Sequence, residues 1–150
     1  MSLFWIERAV DLPPAEVWRR LVDWPAHGAL IPFTGTTVLT PGPSRVGTRF
    51  TARTRLGRFG FDDPMEVVRF DPPGPDGRTG VCGLRKLGRA VRGRAVFEVT
   101  GTASGSRVVW REELRLRGVP AALDPVLALV GRVVFGRALD GLLGKRPAVH

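Results

Sequence analysis

From Thr36 to Leu116 apolar and polar residues alternate with a period of two, broken by PGPSRVG, LGRFG, DPPGPDG and TGTASGS. Each break is rich enough in Gly, Pro, Ser or Asp to turn the chain, so the region reads as about six strands joined mostly by hairpins, hence an antiparallel sheet. The strands are predicted at Thr36 to Leu39, Thr48 to Thr54, Phe59 to Phe70, Gly80 to Lys86, Arg94 to Thr100 and Arg107 to Arg117. The N-terminal LFWIERAV alternates partially and adds another. Within the third, Asp62-Asp63-Pro64 predicts a bulge or bend, because proline cannot donate to a central ladder.

A sheet with one apolar face needs a cover. LPPAEVWRRLVDWP places prolines at a helix start and segregates Val17, Trp18, Leu21 and Val22 from Glu16, Arg19, Arg20 and Asp23. AHGALIP follows as a second short helix or irregular turn. Beyond Gly118 and Pro120 the period changes: Asp124 as N-cap and Pro125 at the first helical position open a helix running to about Gly144. Leu127, Val130, Gly131, Val134, Phe135, Ala138 and Leu142 share one face, and Arg132, Gly136, Arg137 and Asp140 the other. At ~1.5 Å per residue this helix is about 30 Å long, enough to cross a curved sheet. Gly131 signals a gap or a close approach, since an interior glycine costs about 1 kcal/mol relative to alanine. The fold class is therefore α+β, with a long C-terminal helix laid over an antiparallel sheet.

The 150 residues suit one domain, 1–150, with a sizeable core. A lone Cys82 excludes an internal disulfide, and MSLFWIER lacks a basic leader and a signal-length apolar run, so a cytoplasmic location is expected. The longest apolar stretch, Val126 to Gly136, is interrupted by Arg132 and too short to span a bilayer. Net charge is +9, and of 23 basic residues only Lys86 and Lys145 are lysine. Either GC-rich coding or an anionic partner accounts for that bias.

With His27, His150 and Cys82 as the whole supply of soft ligands there is no metal cluster, and no phosphate- or dinucleotide-binding motif calls for a cofactor. Acid and base chemistry is left to Glu112, Asp62, Asp63, Glu66, Glu98 and His27. Glu112 is the anomaly, because it falls on the apolar parity of its strand between Trp110 and Leu114. A carboxylate there is paired with an inward arginine such as Arg94, contacts a ligand, or works as an acid/base whose pKa burial has raised. Asp62-Asp63 reads as bend chemistry ahead of Pro64. RKLGRAVRGR, residues 85 to 94, straddles a hairpin and reads as a solvated rim. The outward stripe Arg107, Arg111, Arg115 and Arg117 is a better docking surface for an acidic protein, and nucleic acid is disfavoured for want of a recognition helix or stacking aromatics.

The element order, together with DWPAHGALIPFTGTTV, GTRFTARTRLGRFGFDDPMEVVRFDPP and SRVVWREELRL, resembles the START-like (SRPBCC) superfamily, in particular actinobacterial members of its polyketide cyclase/dehydrase branch. The resemblance covers nearly the whole chain and implies the helix-grip, birch-pollen-allergen-like fold: a sheet of about seven strands wrapped around the C-terminal helix, with two short helices after the first strand and a cavity for a hydrophobic ligand. On parity, the wall is assigned to Phe50, Ala52, Phe61, Met65, Phe97, Trp110, Glu112 and Leu114, with Val130, Val134 and Phe135 from the helix. His27 would then lie at the cavity mouth as gatekeeper or proton shuttle, or be an exposed loop histidine. The function implied is binding of a lipid- or polyketide-like molecule. The alternatives are a polyketide cyclase, aromatase or dehydratase with Glu112 as acid/base, and a basic interaction module for an acidic carrier protein or nucleic acid.

Overall fold

The computed structural model describes residues 2–144. Strand β1 (Ser2–Val10) is followed by helices α1 (Pro14–Leu21) and α2 (Trp24–Leu30). Six strands come next: β2 (Thr34–Val38), β3 (Arg49–Leu56), β4 (Phe59–Asp71), β5 (Gly80–Lys86), β6 (Val91–Thr102) and β7 (Gly105–Leu116). A single 3-10 turn (Ala121–Leu123) leads into α3 (Asp124–Leu142). The seven strands form one sheet in the order β1-β7-β6-β5-β4-β3-β2, every neighbour antiparallel. Only the β1–β7 pairing joins strands distant in sequence, and it draws the N-terminus under the C-terminal helix.

Register fixes what faces inward. Phe97 lies opposite Trp110 and Ala95 opposite Glu112, so the small alanine leaves room beside the carboxylate. The inner face of the sheet, α1 and α2 and part of α3 enclose a core that includes Phe4, Leu21, Val67, Phe97 and Leu139.

Two local expectations are corrected. β4 runs unbroken through Asp62-Asp63-Pro64, and its irregularity lies between Val67 and Arg69. Pro64 is tolerated because its carbonyl side faces β5, where it accepts the Leu87 N–H, and the β4–β5 ladder begins only at Met65. The missing N–H points the same way, past the end of that ladder. Asp124 is the first helical residue rather than the N-cap; Leu123 holds the cap position without a side-chain cap bond.

Helix α3 is also rotated from the expected face. Gly136, assigned outward, is buried, as are Gly131, Ala138, Leu139 and Leu142. Arg8 of β1 covers that side of the helix: it reaches across to Asp140 (Nε to Oδ1, 2.7 Å) and passes over Gly136, where a Cβ would sit 3.0 Å from its guanidinium. One turn earlier, a Cβ on Gly131 would lie 2.5 Å from Cε1 of Phe4, so this glycine sets how closely α3 approaches β1.

Candidate ligand cavity

Between the concave sheet, α2 and α3 lies a cavity of about 440 Å³. Its wall includes Phe50 and Ala52 from β3, Phe61 and Met65 from β4, Phe97 from β6 and Trp110, Glu112 and Leu114 from β7. Val130, Val134 and Phe135 of α3 close it, although Val130 is half exposed, so the eight residues assigned by strand parity and the three from the helix face line one space. Rings form its floor: Trp24 stacks on Phe50 with centroids 4.5 Å apart, Phe97 meets Trp110 edge-on at 4.8 Å, and Trp110 meets Phe135 at 5.1 Å.

Three side chains break the apolar lining together. Lys86 at the end of β5 places Nζ 2.6 Å from Oδ2 of Asp63 and 3.5 Å from Oε1 of Glu112. The Trp110 indole N–H donates to the other Glu112 oxygen at 2.7 Å. Side-chain exposure is 4% for Lys86, 3% for Glu112 and 13% for Asp63, so one ammonium and two carboxyl groups share a nearly dry volume. Desolvation raises the pKa of both carboxyl groups, against the pull of the Lys86 charge. At Lys86 desolvation works downward, but the combined attraction of Glu112 and Asp63 outweighs it and the pKa is raised. One ammonium balances one carboxylate, and the second carboxyl is held towards its protonated form. Oδ1 of Asp63 is buried with no hydrogen-bond partner among the described residues. The cluster therefore holds a buried acceptor, or once protonated a donor, that no described side chain satisfies.

The partner of Glu112 is a lysine rather than an inward arginine. Arg94 is exposed and pairs on the outer face with Glu113 through two bonds of 3.1 Å. Two signals in the sequence point to Lys86 and Asp63. Lys86 shares the parity of Cys82 and Leu84, which are buried, and Asp63 shares that of Phe61 and Met65. Reading Lys86 within the basic run 85–94, and Asp63 as turn chemistry, hides both.

His27 is neither an exposed loop residue nor at the mouth. It is buried in α2 among Trp24, Phe97 and Trp110, and its Nε2 bonds the Leu21 carbonyl. That bond requires a proton on Nε2, and burial lowers the ring's pKa to about 4, so it is a neutral donor. The Cys82 thiol is buried and pushed up to about 12, which suits packing rather than nucleophilic work. On the outer stripe, Arg107 pairs with Glu7 and Arg111 with Glu98, while Arg115 and Arg117 have no ion pair among the described residues. Among the described residues no group of three or more His, Cys, Asp or Glu side chains could hold a metal, and no helix is long and apolar enough to cross a membrane.

Solved structures of the same fold exist at low sequence identity. Protein TTHA0849 from Thermus thermophilus aligns over 95% of both chains with a TM-score of 0.71 and 16% identity. Protein jhp0584 from Helicobacter pylori aligns over 95% of this chain and 86% of its own with a TM-score of 0.70 and 18% identity. Ara h 8.0201 aligns over 96% and 99% with a TM-score of 0.60 and 14% identity. No protein-family model and no curated protein sequence matches the chain.

Proposed function

We propose that this chain, which has the helix-grip fold of birch-pollen-allergen-like proteins, binds a small hydrophobic ligand between its sheet and its C-terminal helix. The observation that carries the reading is an apolar cavity of about 440 Å³ whose polarity is concentrated in Lys86, Asp63 and Glu112. Its size lies in the range of small-molecule sites, and an apolar wall with a few convergent polar groups is their usual chemistry. The aromatic floor takes the hydrocarbon part of a lipid- or polyketide-like molecule. A hydroxyl or carbonyl at one end meets the polar cluster of Lys86, Asp63 and Glu112.

The binding test is titration with an apolar fluorophore. The native chain is expected to saturate, and Ala52→Phe, which fills space at the wall, is expected to abolish binding while thermal unfolding stays cooperative. Equal binding by both proteins would contradict the proposal.

A second reading is favoured by one observation, the raised Glu112 carboxyl beside a buried ammonium. Such a pair is what a cyclase, aromatase or dehydratase acting on a polyketide-like substrate would use: Lys86 holds a carbonyl oxygen, and Glu112 gives or takes the proton. An acidic carrier protein delivering that substrate would approach the Arg115 and Arg117 end of the outer stripe.

A further inference from the structure

We infer that the open end of the cavity docks on an anionic lipid bilayer. Strand register puts four features at one end of the sheet. They are the β3–β4 turn beyond Leu56 and Phe59, the start of β2 at Thr34, the β5–β6 turn before Val91 and the exit of β7 at Leu116. Ile31, Pro32, Leu56, Val91 and Leu116 also line the cavity, so this end is its mouth.

The mouth is apolar and projects into solvent. Phe59 is 81% exposed, Phe33 70% and Leu56 54%. Phe33 is the one described non-glycine residue with positive φ, at 60°. A bulky side chain is disfavoured in that region, so strain accompanies the placing of a phenyl ring out in water. β4 pairs with β5 only from Met65 onward, so the tip of the β3–β4 hairpin extends beyond its neighbour.

Around these tips the charge is positive and uncompensated. Arg55 and Arg58 share the hairpin with Phe59. Across the mouth, Arg89, Arg92, Arg115 and Arg117 surround a shallow hollow whose wall, Leu116, is also cavity wall. None of these six makes an ion pair among the described residues, whereas Arg53, Arg85, Arg94 and Arg111 each pair with a carboxylate on the same sheet. Arg92 even lies directly opposite Arg115 in the β6–β7 ladder, a like-charge pair that is unfavourable until an anion sits between its members.

Apolar tips flanked by two groups of arginines match an anionic bilayer: phenyl rings and leucine enter the acyl boundary while guanidinium groups bind lipid phosphates bidentately. A nucleic acid would use the arginines and could stack bases on Phe33 and Phe59, but it would leave Leu56 and the apolar cavity rim of Ile31 and Pro32 without purpose. Docked this way, the cavity opens directly onto the acyl layer. That purpose rests on the ligand-binding reading; the docking itself does not.

Co-sedimentation with phosphatidylcholine vesicles, with and without phosphatidylglycerol, tests the inference. Binding is expected only with phosphatidylglycerol, weakened by salt, and lowered about fivefold for each charge removed in Arg92→Gln/Arg115→Gln. Phe33→Ser and Phe59→Ser should each lower it about tenfold or more, and Arg78→Gln at the far end should leave it unchanged. Ala52→Phe should sediment like the native chain, so failure of ligand binding and failure of docking are separately visible. No sedimentation, equal sedimentation with neutral vesicles, or full binding by the Phe33→Ser/Phe59→Ser double variant overturns the inference. The last outcome would point to a polyanion such as nucleic acid.

Discussion

Lys86 and Glu112 arrive from β5 and β7, separated by β6, and meet with Nζ 3.5 Å from Oε1 inside a mainly apolar cavity. Ala95 on the intervening strand makes this possible, because a larger side chain opposite Glu112 would occupy the space between them. Asp63 completes the cluster from β4.

Lys86→Met should therefore be severely destabilising at neutral pH, by about 3–5 kcal/mol, because it leaves two buried carboxyl groups without a cation. The carboxyl groups have ordinary values of 3.8 and 4.5, and burial raises both. A group raised in the folded state favours folding at low pH and loses that contribution as pH rises. The variant should accordingly recover part of its deficit on acidification, and adding Glu112→Gln and Asp63→Asn should restore most of it at neutral pH. Urea unfolding at two pH values measures both effects; a near-native Lys86→Met would refute the account of the cluster.

His27 works in the opposite sense. Its ring falls from an ordinary 6.5 to about 4, so it contributes stability above the unfolded value, and that contribution is lost as pH drops from about 6.5 through 4. The span corresponds to about 3 kcal/mol. His27→Asn should be less stable at neutral pH, and its disadvantage should shrink across this interval, as followed by denaturant midpoints. A constant difference would mean that the ring titrates as if exposed.

Gly131→Ala should destabilise despite the gain in helix propensity of about 1 kcal/mol. Its Cβ would meet the Phe4 ring, which is fully buried and stacked on Phe135, so the ring has little room to yield. A net loss of about 1–3 kcal/mol is expected in thermal unfolding, as for other overpacked cores. A stabilised variant would show that α3 can shift away from β1.

Glu112→Gln separates the two functional readings. It keeps the shape of the side chain and a hydrogen-bonding group for a ligand but removes the carboxyl proton transfer. Ligand binding should fall less than about tenfold, whereas a cyclase or dehydratase that relied on Glu112 should lose about 10²–10⁴ in rate. Unchanged turnover in an assay with a polyketide-like substrate would remove Glu112 from that role.

The period-two pattern makes the sheet legible, and the parity of Trp110, Glu112 and Leu114 is enough to bring Glu112 to the cavity side. Parity works within a strand because neighbouring side chains alternate between faces. It puts Lys86 and Asp63 on inward positions, and Arg94, opposite in parity to Phe97, on an outward one, but it does not say which residues of different strands lie side by side, so the meeting of Lys86 and Asp63 with Glu112 is visible only in the register. For α3 the helical period predicts a buried face, but the rotation of that face follows from contacts with elements distant in sequence, among them Phe4 against Gly131 and the Arg8–Asp140 bridge. His27 illustrates the same limit: a histidine within the short α2 carries no local sign that three aromatic rings will close over it.

The claim that the cavity holds a hydrophobic ligand is tested most directly by native mass spectrometry of the protein purified from a bacterial host, followed by denaturing extraction of whatever is released. The account predicts a mass increment of one small apolar molecule with a hydroxyl or carbonyl group, present in the native chain and absent from Ala52→Phe. An unliganded native chain that also takes up no lipid- or polyketide-like molecule when these are supplied would contradict it.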